Sequence, residues 1–252
     1  MKKVIRAFYM TLGMFCAIPL PGLVWDDDCV TLMMPCYPFV GIVIGAIWWV
    51  AASLLMTSDI HPSLAAAILT IVMLSSAGFI HLDGYMDTSD AVLSRRPHEE
   101  KIRILKDPHT GSFSVIMVAL LFLMQYAAAF AFIDKGDNAR LLIIIAVLSR
   151  CGSALATQVL KPAPHSSNVN MYRKQKVKTL YIAVGIVTTL CATWVSFICS
   201  GISGLLVSIA SVTGYTAAMA YVYNDLKGVS GDLAGFALVI SELCGLIALS
   251  IV

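Results

Sequence analysis

The sequence predicts an all-α polytopic transmembrane helical bundle, with about seven spans and an N-terminal interfacial or re-entrant helix. Of 252 residues, 59% are hydrophobic and only 13% charged, and the mean hydropathy is +0.85. The apolar residues also fall in unbroken runs of roughly 20 and do not alternate. In hydrocarbon such a run satisfies its backbone hydrogen bonds as a helix. No stretch is left over for a soluble domain, so residues 1–252 read as a single integral-membrane catalytic domain.

The N-terminal "MKKVIRAFYMTLGMFCAIPLPG" begins like a secretory signal but meets Pro19, Pro21 and Gly22 where a small-residue cleavage site would stand, so it reads as retained. Before Pro19 it offers about 16 helical residues, ~24 Å against ~30 Å of hydrocarbon, which places it on the cytoplasmic surface. Spans follow at 36–57, 62–80, 112–133, 140–160, 179–200, 203–223 and 232–252. Basic residues sort by connection: Lys2, Lys3 and Arg6, five in 81–111, five in 161–178, and Lys227 share the cytoplasmic side, while Lys135 and Arg140 face out. The linker "KPAPHSSNVNMYRKQKVK" reads as a mobile loop whose His165 and Asn170 are idle. Seven cysteines without a CxxC pair read as small core residues. A formal charge of +2 is too small to suggest nucleic acid as a partner, and the lipid bilayer is the expected one.

The chemistry gathers in "GFIHLDGYMDTSDAV", residues 78–92. If the helix starting at Pro62 runs on through residue 91, Asp87 lies about 40° to one side of Asp83 and Asp90 about 20° to the other. Three carboxylates on one narrow face suit a hard cation with oxygen ligands, Mg²⁺ above all, and such ions hold substrate phosphates. The plain alternative is a helix end meeting water; the spacing in so acidic-poor a chain favours the metal. His81, roughly 160° from Asp83, joins the row only where the helix bends.

Downstream, residues 97–106 of "RRPHEEKIRILKDPHTGSF" form an amphipathic helix with Ile102 and Leu105 toward the membrane. Arg95, Arg96, Lys101, Arg103 and Lys106 are then open to phosphates or headgroups, although the positive-inside bias explains most of them. Lys106 can bind a bridging phosphate, with Asp107 as a further ligand and Asp232, at the same cytoplasmic level, as a fourth. Arg150 and Glu242 each lie about 15 Å deep in their spans, which suggests an ion pair that serves either structure or substrate binding.

In order along the chain, "AIPLP", "YPFVGIVIGAI", "GFIHLDGYMDTSDAV", "EEKIRILKDPHTGSF", the "LSR" at 148–150 and "GVSGDLAGFALVISE" resemble the cobalamin synthase family, the adenosylcobinamide-GDP ribazoletransferases. The resemblance implies a Mg²⁺-dependent enzyme of the bacterial inner membrane with its site facing the cytoplasm. Its substrates would be adenosylcobinamide-GDP and α-ribazole or the 5′-phosphate. GMP would leave, and the product would be adenosylcobalamin or its 5′-phosphate. Asp83, Asp87 and Asp90 would hold Mg²⁺, Asp232 would complete a second site, Lys106 would face the phosphates, and a carboxylate of the row or His81 would take the ribose proton. After "DA" the chain runs "VLSRRPHEE" where the family has a glycine-rich turn. A CDP-alcohol phosphotransferase would need an Ala-Arg pair after "DG", and a transporter would need polar groups at mid-bilayer and two related halves. Neither pattern is present, and a homo-oligomer stays open.

Overall fold

The computed structural model describes residues 2–22, 25–136, 138–163, 166 and 178–252. His165 and Asn170 lie outside the described residues. Helices α1 (Lys2–Phe15), α2 (Met33–Met56), α3 (Pro62–Ser75), α4 (Ile80–Leu93), α5 (His98–Ile104), α6 (Ser112–Lys135), α7 (Leu141–Val159), α8 (Lys178–Leu226) and α9 (Gly231–Ile251) follow in order. A short 3₁₀ turn, Val30–Leu32, precedes α2. Five of the helices, α2, α6, α7, α8 and α9, are long and apolar enough to cross a bilayer. Large apolar side chains such as Leu54, Ile71, Leu190 and Ile202 stand exposed on the outside, as a lipid-facing surface requires.

The 49 residues of α8 are two spans. Gly201 has φ 58° and ψ −136°, a conformation open essentially to glycine alone. The Ser196 hydroxyl donates to the Gly204 carbonyl at 2.7 Å. In a straight helix those residues would stand about 12 Å apart, so the chain reverses at Gly201. The expected boundary between 179–200 and 203–223 therefore holds.

The region 62–80 differs from expectation. Helix α3 stops at Ser75, and α4 leaves it at 86°. Residues 76–79 make the corner, with Gly78 and Phe79 at φ 66° and 62°. The Trp48 indole donates to Ser76 Oγ at 2.8 Å, and the Ala17 N–H to the Ser76 carbonyl at 2.8 Å. Partners from two distant segments thus fix a bend that apolar periodicity does not announce. The continuous helix through residue 91 is replaced by a separate α4, within which the aspartate spacing survives.

Helix α1 lies across the start of α2. Thr11 reaches the Met33 carbonyl at 3.4 Å, the Phe15 ring packs tilted against Tyr37 with centroids 4.5 Å apart, and Lys3 and Arg6 pair with Asp28 and Asp26. Both ends of α1 thus meet the first turns of α2 and its approach, which suits an interfacial helix and not a crossing one.

Cross-links sort the connections into two ends. Lys101 on α5 pairs with Asp225 at 2.6 Å, and Val229 exchanges backbone hydrogen bonds with Lys161 and Ala163. At the other end the Asn138 amide donates to Ser200 Oγ at 2.6 Å. This is the grouping that the basic residues predicted. Helix α7 is the central element, packed by α2, α8 and α9. Two cysteines, Cys191 and Cys199, are exposed on α8 and do not join the core.

Candidate functional site

Helix α4 rests on the beginnings of α6 and α9, and glycines set how closely. A Cβ on Gly84 would meet the Asp232 backbone at 2.8 Å, so only glycine lets the first turn of α9 seat against α4. The Tyr85 and Phe236 rings stack at 5.2 Å beside that contact. Asp232 is thereby carried to Asp87, whose charged neighbours are Asp83, Asp232 and Asp90. At the far end of α4, the Asp90 carboxylate lies against Gly111, the residue that opens α6, where a Cβ would overlap it.

Asp83 is exposed, and Asp87, Asp90 and Asp232 are half-buried. Among the described residues, Asp83, Asp87 and Asp90 have neither a cation nor a hydrogen-bond donor as partner. Like charges held together without a counter-ion are a costly arrangement that a bound cation relieves. No three Asp, Glu, His or Cys side chains among the described residues close on one point. That donor set fits Mg²⁺ of the kind held by one or two carboxylates with water and substrate phosphates, and not a closed protein cage.

The other predicted residues separate into free and committed groups. Arg95, Arg96 and Lys106 are exposed, and their side chains have no partner among the described residues. Lys101, expected to be open to phosphates, turns inward to Asp225 and is 8% exposed. Asp107 accepts from the His109 N–H at 3.0 Å and its Nδ1 at 2.7 Å, which hold its carboxyl below the ordinary range. It is not among the charged neighbours of Asp87, so its role as a ligand loses support.

His81 does not join the row. It is buried, it hydrogen-bonds Tyr37 through Nε2 at 2.8 Å, and it stacks on Phe15 at 5.9 Å. The corner at 76–79 precedes it, so within α4 it keeps the face opposite Asp83. Arg150 and Glu242 do pair, at 2.8 Å. The guanidinium also donates to the Ala146 carbonyl at 2.9 Å and stands over Trp48 at 5.9 Å. At 1% exposure Arg150 is committed, and its substrate-binding reading gives way to a structural one. Sequence reading missed Tyr37, which opens the family-like segment "YPFVGIVIGAI", and Phe15, which lies in none of those segments.

Gly111→Ala tests the contact with Asp90. The added methyl forces the carboxylate to rotate out of the row while leaving the backbone intact. Turnover is expected to fall about 10–100-fold, the range for disturbing a group that orients a metal ligand, with an unchanged gel-filtration profile.

Fold and site together define a multi-pass helical membrane protein with a carboxylate row and free cations gathered at one end of the bundle. The chain belongs to the cobalamin-5-phosphate synthase family, whose model matches residues 7–250. It is 37% identical to an adenosylcobinamide-GDP ribazoletransferase of Clostridium perfringens over the full length of both chains. A protein of the same name from Clostridium botulinum is 34% identical, over 98% of this chain and 97% of its own. One from Pseudomonas putida is 30% identical over 85% of each. No solved structure matches.

Proposed function

We propose that this chain is an adenosylcobinamide-GDP ribazoletransferase that needs Mg²⁺ and works at the cytoplasmic face of the inner membrane. The observation that carries the reading is the row of Asp83, Asp87 and Asp90, which have no cation as partner among the described residues and which Asp232 joins, in a chain whose full-length relatives bear that name. An attacking ribose hydroxyl forms a bond to the phosphorus that carries cobinamide. The phosphoanhydride bond to GMP breaks, GMP takes the electron pair, and the hydroxyl proton passes to a carboxylate of the row. Asp83, Asp87, Asp90 and Asp232 would hold Mg²⁺, which when bound neutralises charge on the phosphate oxygens. Lys106, Arg95 and Arg96 supply mobile positive charge to the same oxygens.

Purified protein given adenosylcobinamide-GDP, α-ribazole and Mg²⁺ is expected to release GMP, and to stop when the metal is chelated. Turnover that is unaffected by chelation would remove the metal from the mechanism. Reporters fused at Lys106 and Lys227 are expected on the cytoplasmic side, and one at Asn138 on the other side. A reporter at Lys106 found outside would reverse the assignment of the site to the cytoplasm.

A further inference from the structure

Arg95, Arg96 and Lys106, whose side chains have no partner among the described residues, stand on one loop, and both ends of that loop meet at Asp90. The chain leaves α4 just after Asp90 and enters α6 at Gly111, which lies against the same carboxylate. Between them runs α5, packed on α4 and on α8. Arg95 and Arg96 precede it and Lys106 follows it, with about 10 Å of helix in between. A loop closed at its neck can pivot there, so the place of its cations depends on what holds α5.

Two side chains one turn apart hold it. Leu105, 9% exposed, joins the apolar core, a contact with little directional preference. Lys101 supplies the direction: its Nζ donates to both carboxylate oxygens of Asp225 at 2.6 Å. Asp225 stands on fixed ground. Leu226 and Val229 after it are 1% and 0% exposed, Val229 exchanges backbone hydrogen bonds with Lys161 and Ala163, and Ser230 caps α9 by accepting from the Leu233 N–H at 3.3 Å. The first turn of α9 then carries Asp232 to the carboxylate row. One short, pinned segment thus joins the anchor of the cationic loop to a member of the row.

We propose that Lys101 and Asp225 are positioning residues for the donor substrate: their ion pair holds α5 where Arg95, Arg96 and Lys106 can meet the pyrophosphate of adenosylcobinamide-GDP at the carboxylate row. This rests on the transferase reading above. Lys101, 8% exposed and engaged with Asp225, does not touch the substrate and acts through the cations on either side of it. A partly buried pair adds little net stability, because desolvation offsets much of the attraction. Its contribution is the geometry of the loop.

Initial rates of GMP release are measured while each substrate is varied in turn. Wild-type protein that releases no GMP would overturn the transferase reading, and this proposal with it. Given an active wild type, Lys101→Met is expected to raise KM for adenosylcobinamide-GDP about tenfold, on the scale of a binding group that is slightly misplaced, and to leave KM for α-ribazole within about twofold. Asp225→Asn breaks the pair from the other side with a side chain of nearly the same shape and is expected to move the same KM in the same direction, so the test stands even where Lys101→Met fails to fold. The combined Arg95→Ala, Arg96→Ala and Lys106→Ala variant is expected to raise KM for adenosylcobinamide-GDP at least about tenfold in the parent, and by no more than about twofold when added to Lys101→Met, because displaced cations have little left to lose. An equal factor in both backgrounds would show that the cations act without the ion pair and overturn the proposal. Folded Lys101→Met or Asp225→Asn protein with parental KM for adenosylcobinamide-GDP and only a lower melting temperature would leave the pair purely structural and overturn it as well.

Discussion

Asp87→Asn is expected to release GMP about 10²–10³-fold more slowly than the parent protein, the scale of losing one preorganised electrostatic element at a reacting centre. Asp87 is the sharpest choice because Asp83, Asp90 and Asp232 all lie close enough to act on its charge. The same substitution acts on stability with the opposite sign. Without metal it removes one of several crowded like charges, so in chelator the variant should melt at a higher temperature than the parent. With Mg²⁺ the parent gains by mass action, in proportion to the ratio of metal concentration to Kd, and the variant gains less. The two melting temperatures therefore converge or cross as metal is added. A structural carboxylate would show neither the slow turnover nor this dependence on metal. Parental rates together with parallel melting curves would remove the row from the mechanism.

How much of this was legible before the fold was known depends on the range of each interaction. Spans end where charge and Gly/Pro interrupt apolar runs, so six of the seven are close to their expected limits, and even the reversal at Gly201 is marked by its glycine. The aspartate row was legible because positions 83, 87 and 90 are neighbours on any helix, whatever surrounds it. The corner at 76–79 was not: Phe79 takes a left-handed conformation that its side chain does not favour, and the corner is tied through Ser76 to Trp48 and Ala17, both distant in sequence. Lys101 was read by its helix face, but its partner Asp225 lies 124 positions away. Tyr37 and His81 are 44 positions apart, and nothing local to either signals the bond. Arg150 and Glu242 are as distant, yet depth in the bilayer gave each a coordinate, and a deeply buried charge needs a partner.

That last pair gives the second large effect. Glu242→Leu leaves the Arg150 guanidinium buried with its charge uncompensated, and a loss of about 3–5 kcal/mol is expected. Arg150 cannot escape by snorkelling, because it is 1% exposed on the central helix with its head already over Trp48. Removing both charges, Arg150→Leu with Glu242→Leu, takes away the desolvation cost along with the attraction, so the double variant should recover most or all of the lost melting temperature. The charge swap, Arg150→Glu with Glu242→Arg, should recover less. It restores attraction but forfeits the hydrogen bond to the Ala146 carbonyl and the face of Trp48, both of which need a guanidinium on α7. An order of double apolar above swap above single substitution, in both melting temperature and GMP release, marks a structural pair. A double variant that folds as well as the parent but is inactive would instead return Arg150 and Glu242 to the substrate, because a pair that only ties α7 to α9 is dispensable once neither charge is left unpaired.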